Sequence, residues 1–172
     1  MALTTLITGA TRGIGKAIAT RLIAEKHNII NISTSGEVPH DIDPNKFVSY
    51  KCDISNIKNT FELVTHITND YKIDNVVLNS GITRDKLFHK MNIDDWTDVF
   101  NTNLLSVYGV LNPIINQMRE TENGNVIFIS SVNAHRPVIG QTNYSASKNG
   151  LIALNRCLAL ENSNKNIKCN VI

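Results

Sequence analysis

Apolar positions fall along this chain in short dense runs that alternate with stretches of helical spacing. Residues 3–8, 28–33 and 46–52 read as β-rich runs. Residues 13–26 carry Ile14, Ala17, Ile18 and Leu22 at the interval of one helix face, and residues 56–70 do the same with Ile57, Phe61, Val64 and Ile67. Between the second and third runs, residues 34–45 hold Gly36, Pro39 and Pro44 and are too short and broken for a full helix. Val76-Val77-Leu78 and Val126-Ile127-Phe128-Ile129 are continuous rather than alternating, as in strands buried on both faces of a parallel sheet. Residues 94–120 and 141–162 are long helical stretches, the first expected to be disturbed at Pro113, and residues 167–172 begin a further strand. There is no internal repeat and no linker. The pattern predicts one domain over residues 1–172, an α/β fold with a doubly wound parallel sheet.

Composition narrows the function classes. With 172 residues and 42% hydrophobic content, the chain can build one core and is not disordered, and 9 Gly and 4 Pro exclude a collagen-like chain. Net charge is +2 with Lys and Arg scattered, so no nucleic-acid partner is expected. No segment approaches the ~18 apolar residues of a membrane span. The first nine residues lack a basic segment and run into glycines, so no signal peptide is expected. Cys52, Cys157 and Cys169 show no CxxC spacing, which points to a reduced, cytoplasmic protein with cysteines acting as small hydrophobes. His27, His40, His66, His89 and His135 form no ligand pair, so no metal site is expected.

The first candidate chemistry is Thr8-Gly9-Ala10-Thr11-Arg12-Gly13-Ile14-Gly15, between the first strand and the first helix. Glycines there let the backbone approach a pyrophosphate, and the free N–H groups and dipole of the helix start favour an anion. An isolated glycine motif also occurs in turns that bind nothing; the strand–turn–helix setting is what favours a dinucleotide and a Rossmann-like fold. An NAD ribose would call for a carboxylate about 20 residues further on, at the end of the second strand. That place holds Ser33-Thr34-Ser35. Hydroxyls there, with the cation of Arg12, suit a 2′-phosphate, so NADP(H) is the expected cofactor; Glu37 keeps NAD(H) open as the alternative.

Further motifs follow in order: Cys52-Asp53-Ile54, Asn79-Ser80-Gly81, Thr102-Asn103-Leu104, Ser131 and Tyr144-Ser145-Ala146-Ser147-Lys148. With the glycine turn, their order and spacing resemble the short-chain dehydrogenase/reductase family over essentially the whole chain. Gly81-Ile82-Thr83-Arg84-Asp85, Ser130-Ser131-Val132-Asn133 and Gly140-Gln141-Thr142-Asn143-Tyr144 look like its 3-oxoacyl reductases, which act on acyl-carrier-protein or CoA thioesters. Ser80 departs from the family's usual alanine but is still small. Glu120 and Glu122 stand where carrier-protein reductases often place basic residues, and would repel an acidic carrier protein. Both carriers therefore stay open.

The resemblance implies a cofactor cradle of Gly9, Thr11, Arg12, Gly13, Ile14, Gly15, Thr34, Asp53, Ile54, Asn79, Ser80 and Gly81, with Asp53 at the adenine and Tyr144 and Lys148 at the nicotinamide ribose. It implies catalysis by Asn103, Ser131, Tyr144 and Lys148. A tyrosine and lysine four apart share one helix face, and a lysine cation a few ångströms from a phenol favours its phenolate. Tyr144 would then pass a proton to a carbonyl oxygen held by Ser131, while Asn103 supports a relay water. Taken singly, the tyrosine–lysine pair is ordinary helix surface, Ser131 a strand-end cap, Asn103 a helical polar residue and Asp53 a helix cap. Their joint occurrence carries the reading. His135 is expected to be an exposed loop residue, and Trp96, Val99, Phe100, Val107 and Leu111 core or helix-pairing surface.

The chain stops at Asn170-Val171-Ile172, inside the expected sixth strand, where family members continue with a segment over the substrate, a helix and a last strand. The expectation is a fold truncated at the sixth strand, with its catalytic tetrad and without that lid. An NADPH-dependent reductase of 3-oxoacyl thioesters, whole or as a fragment, is the leading reading. A non-catalytic dinucleotide-binding or assembly module, and a short-chain alcohol dehydrogenase with another substrate, are the alternatives. The resemblance also implies a homo-oligomer joined through helices 94–120 and 141–162.

Overall fold

A computed structural model describes residues 2–172; Met1, in the stretch for which no signal peptide is expected, lies outside the described residues. Six strands form one parallel sheet: β1 (Thr4–Thr8), β2 (Asn28–Ser33), β3 (Phe47–Lys51), β4 (Asn75–Leu78), β5 (Gly124–Phe128) and β6 (Ile167–Val171). Their order is β3-β2-β1-β4-β5-β6, so the chain winds outward one way from β1 and then, from β4, the other way. Reversal of direction beside β1 opens a crevice at the carboxyl ends of β1 and β4, where ligands of doubly wound sheets bind.

Leu6, Ile7, Ile30, Ile32, Val76 and Phe128 are fully or almost fully buried, which is why those strands read as unbroken apolar runs. One face of the sheet packs α2 (Ile57–Asp70) and α4 (Ser106–Thr121), with Leu151 of α5 (Thr142–Glu161) joining the same cluster. The other face packs α1 (Gly13–Ala24) together with Ile42 and Phe47. Residues 34–45 form no full helix, and Ile42 alone from that segment plugs the second cluster.

Side-chain caps begin α2 and α3. Asn56 Oδ1 accepts from Asn59 N at 3.1 Å to begin α2. At α3 (Ile93–Phe100), Asn92 and Asp95 exchange side-chain and backbone bonds in a capping box. The Lys86 ammonium beside Asp95 holds its carboxyl below the usual carboxylate value. Gln117 in α4 then fastens α2 from below, donating to Thr68 O at 2.7 Å and Tyr71 O at 2.8 Å and accepting from Ile73 N at 2.8 Å.

The helical stretch over 94–120 is disturbed, but not at Pro113. α4 runs through Pro113, which is buried; the one bond it forfeits, to the Gly109 carbonyl, is outweighed by the packing of this helix between α2 and the sheet. The break lies at Asn101–Leu105, a π-helical turn between α3 and α4. Such turns redirect a helix by one inserted residue and concentrate at functional sites.

Candidate active site

At the glycine turn, three glycines do three different things. Gly9 adopts φ +75°, and a Cβ on it would lie 2.9 Å from Ser80 Oγ. A Cβ on Gly15 would run into the Gly9 carbonyl and come within 2.6 Å of Asn79 Nδ2, so this glycine packs the helix start beneath the turn. Gly13 has φ +57° and open space around its missing Cβ. No side chain caps α1, whose N-cap is Arg12, so its first N–H groups are left for something else.

Neighbouring strands hold this turn in place. Thr8 Oγ1 accepts from Asn79 N and Ser80 N, both at 3.0 Å, and Asn79 Nδ2 donates to Thr8 O at 3.0 Å and Gly9 O at 3.2 Å. From the other side, Asn31 Oδ1 accepts from Ala10 N at 2.8 Å while its amide donates to Ser33 Oγ and Ser49 Oγ. Sequence reading passed over Asn31; the signal was a polar residue inside Ile29-Ile30-Asn31-Ile32, since a buried amide is normally bonded.

A cleft of about 640 Å³ opens above these elements. Of the predicted cradle, Gly9, Thr11, Arg12, Gly13, Ile14, Thr34, Asp53, Ile54, Asn79, Ser80 and Gly81 line it. Gly15 does not; it lies under the turn. Tyr144 and Lys148 lie outside that lining as well. Ser33, named with Thr34 for a 2′-phosphate, lines it too, and Cys52, Arg84, Asp98 and Thr102 line it without having been predicted. Asp53 Oδ1 accepts from Ser55 N and Ser55 Oγ, and α2 takes Asn56, not Asp53, as its cap.

The predicted catalytic side chains come from three elements: the π turn, the turn after β5 and α5. Lys148 is 3% exposed, and its Nζ donates to Ile129 O at 2.7 Å and stands 5.9 Å from the Tyr144 ring centroid, one turn earlier on α5. Burial pushes the Lys148 ammonium down to about 8. A Cβ on Gly81 would lie 3.2 Å from Lys148 Nζ and 3.3 Å from Asn103 Oδ1, so a larger residue there would press on both side chains.

Asn103, placed by the π turn, is 2% exposed. Its Oδ1 accepts from Ile82 N at 2.8 Å, and its Nδ2 donates to Ile82 O at 3.0 Å and Ser147 Oγ at 3.1 Å. Both amide protons are thus spent, leaving one oxygen lone pair for anything further. Ser147 Oγ donates in turn to Tyr144 O at 2.8 Å, linking the π turn to the tyrosine's own turn of helix. Asn143, fully buried, accepts from Tyr144 N and donates to Arg84 O and Asp95 O. Ser131 begins a 3₁₀ turn (Val132–Ala134) that Asn149 of α5 holds through Ala134 O, and its Oγ accepts from Asn133 N at 3.1 Å.

These residues suit a dinucleotide: an uncapped helix start, an unfilled Cβ position at Gly13 and a cleft reaching from the end of β2 to Gly81. The family model described as short chain dehydrogenase matches residues 3–172. The chain belongs to the short-chain dehydrogenase family. Members are oxidoreductases that use a nicotinamide dinucleotide. The chain is 37% identical to 3-oxoacyl-(acyl-carrier-protein) reductase FabG of Buchnera aphidicola, over 98% of this chain and 71% of the relative. It is 35% identical to the acetoacetyl-CoA reductase of Rhizobium meliloti, over 97% of this chain and 70% of that one. A crystal structure of a short-chain dehydrogenase from Streptomyces avermitilis superposes with a TM-score of 0.94 at 26% identity, over 99% of this chain and 64% of that chain.

Within this short-chain dehydrogenase, Glu122 pairs with Lys165 at 2.7 Å. Both precede strands, at the end of the sheet opposite the cleft, so inside one chain these charges do not face a substrate. His135 is exposed, as expected; Cys157 is exposed rather than part of a core. Among the described residues no helix is long and apolar enough to cross a membrane.

Proposed function

We propose that this chain reduces a 3-oxoacyl thioester to the 3-hydroxyacyl thioester. The observation that carries the reading is Lys148: an ammonium almost wholly buried, held by the Ile129 carbonyl and aimed past Gly81 beside the Tyr144 ring. With Lys148 one turn further along the same helix, Tyr144 is the side chain placed to hand over a proton. The names of the relatives supply the substrate class.

The residues that would hold the dinucleotide are the glycine turn, with its pyrophosphate on the α1 N–H groups, Asp53 and Ile54 towards the adenine, and Asn79 to Gly81 on the nicotinamide side. When bound and reduced, it supplies the hydride. Tyr144 gives its hydroxyl proton to the ketone oxygen, and Ser131 donates a hydrogen bond to the same oxygen as charge develops there. Ser131 can do so because its acceptor side is occupied by Asn133 N–H, which leaves its proton free to point outward. Lys148 bonds the ribose and carries positive charge next to Tyr144. The remaining lone pair of Asn103 can accept from a water that returns a proton towards Lys148.

NADP(H) is the form we propose. Arg12, Ser33 and Thr34 line the cleft, no carboxylate stands at the end of β2 itself, and the exposed Glu37 stays outside the lining. CoA and carrier-protein thioesters are both compatible, because the Glu122 charge lies at the far end of the sheet. The apolar groove of about 480 Å³ between α4 and α5, lined by Leu104, Tyr108, Leu111 and Leu154, is the surface through which copies of the chain would associate.

One observation favours the alternative of nucleotide binding without turnover. Val132, Val138 and Ile139 are 68%, 50% and 91% exposed near Ser131, so the acyl side of the site is open to water. Following NADPH oxidation with acetoacetyl-CoA, in the chain and in Tyr144→Phe, decides between the two.

A further inference from the structure

Ser131 ends a chain of polar contacts that the reaction as described does not use. Asp85 Oδ2 accepts from Gln141 Nε2 at 2.7 Å, and Gln141 Oε1 accepts from Asn133 Nδ2 at 2.7 Å. Asn133 N then donates to Ser131 Oγ at 3.1 Å. Three separate segments meet here: the loop after β4, the start of α5 and the turn after β5.

The polarity of this chain has a single origin. An amide can present either its oxygen or its nitrogen to a neighbour, and nothing in Gln141 or Asn133 alone chooses. An ionised carboxylate only accepts, so Asp85 forces the Gln141 nitrogen towards itself and the Gln141 oxygen towards Asn133. That oxygen in turn draws the Asn133 nitrogen. With its side chain anchored, Asn133 keeps its backbone N–H on Ser131 Oγ, and the serine proton remains free to be given away.

Asp85 is itself held from both sides. Lys86 N donates to Gly140 O at 2.9 Å, and Asn143 Nδ2, on a fully buried residue, donates to Arg84 O at 3.2 Å. The residues flanking Asp85 are therefore tied to the same stretch that carries Gln141, which keeps the backbone at Asp85 beside that amide.

We infer that Asp85 is a positioning residue that acts through Gln141 and Asn133 to keep the Ser131 hydroxyl oriented as a donor. The inference deepens the reductase reading and rests on it for its kinetic consequence, but the orientation itself can be observed without turnover. Charge-assisted bonds at the head of such a chain carry about a tenfold effect when removed.

The experiment compares the full chain with Asp85→Ala and Asp85→Asn, reading kcat and KM with acetoacetyl-CoA and NADPH, and the exchange of the Asn133 backbone amide by ¹⁵N NMR. Asp85→Asn keeps the size of the side chain but can offer Gln141 either its oxygen or its nitrogen, so it removes what fixes the polarity. We expect Asp85→Ala to lower kcat about tenfold with KM for NADPH unchanged, and to speed Asn133 amide exchange about tenfold. Asp85→Asn should show most of both effects, which loss of side-chain packing alone would not produce. Unchanged exchange at Asn133 in Asp85→Ala overturns the inference. So does a raised KM for the thioester at constant kcat, which would mean that Asp85 touches substrate directly. If the parent chain shows no turnover, the reductase reading fails, and the amide exchange alone decides the role of Asp85.

Discussion

Asn103 grips Ile82 by both of its backbone groups: Oδ1 takes the N–H at 2.8 Å and Nδ2 gives to the carbonyl at 3.0 Å. This paired bond joins the loop after β4 to the π turn between α3 and α4, and its third arm, to Ser147, reaches α5. The site is assembled around one buried amide. Asn103→Ala would leave the half-buried Ile82 groups and Ser147 Oγ without this partner, at ~1–3 kcal/mol for each group that water does not reach. Urea unfolding should show a loss of about 2–4 kcal/mol, and a change below about 0.5 kcal/mol would contradict the assignment.

Lys148 makes stability depend on pH. Its ammonium is pushed down to about 8, against 10.5 for the free side chain. Below about pH 8 both folded and unfolded chains hold the proton, and the folded chain bears the full cost of burying it. Between those two values only the unfolded chain holds it, so stability rises with pH, by on the order of 3 kcal/mol across the window. Lys148→Met lacks this rise. Unfolding free energies of parent and variant, compared between about pH 7 and pH 10, should therefore diverge in the parent's favour. A difference that stays level contradicts the burial-driven shift.

Gly13 and Gly15 should respond to alanine in opposite ways. Gly15→Ala drives a methyl into the Gly9 carbonyl and Asn79, so the protein itself should lose about 1–3 kcal/mol. Gly13→Ala meets no protein atom and bears only its φ of +57°, a cost of ~1–2 kcal/mol. If a pyrophosphate sits against that open space, Gly13→Ala should weaken NADPH binding well beyond its effect on stability. Calorimetric titration beside thermal unfolding separates the two, and equal NADPH affinity in Gly13→Ala would move the pyrophosphate elsewhere.

Arg12 tests the choice of dinucleotide. Arg12 lines the cleft, as do Ser33 and Thr34, which stand where a carboxylate would hold an NAD ribose. Arg12→Ala should weaken NADPH about tenfold and leave NADH nearly unaffected, in keeping with loss of one charge-assisted phosphate contact. Equal loss for both dinucleotides would assign Arg12 to the shared pyrophosphate.

Much of this architecture was legible in the chain. Strands buried on both faces announce themselves as unbroken apolar runs, and β2 falls at residues 28–33 as the pattern predicts. Glycine spacing located the turn because positive φ and close approach leave no other residue free to serve there. What escaped was long-range and polar. Asn31 holds Ala10 from 21 residues away, Asn103 meets Ser147 across 44, and Gln141 meets Asp85 across 56. Periodicity records which face of an element is buried, not which amide meets which carbonyl. The break near Asn103 went to Pro113 for the same reason. Proline has a local penalty that can be read from sequence, whereas the π turn coincides with the long-range bonds of Asn103 to Ile82 and Ser147.

The central claim is proton transfer from Tyr144 beside the buried Lys148, and NADPH oxidation with acetoacetyl-CoA tests it most directly. The account predicts turnover that prefers NADPH over NADH, falls by at least about a thousandfold in Tyr144→Phe, and leaves NADPH affinity in that variant unchanged. Turnover that survives Tyr144→Phe, or NADPH binding by the parent with no turnover at all, would contradict it.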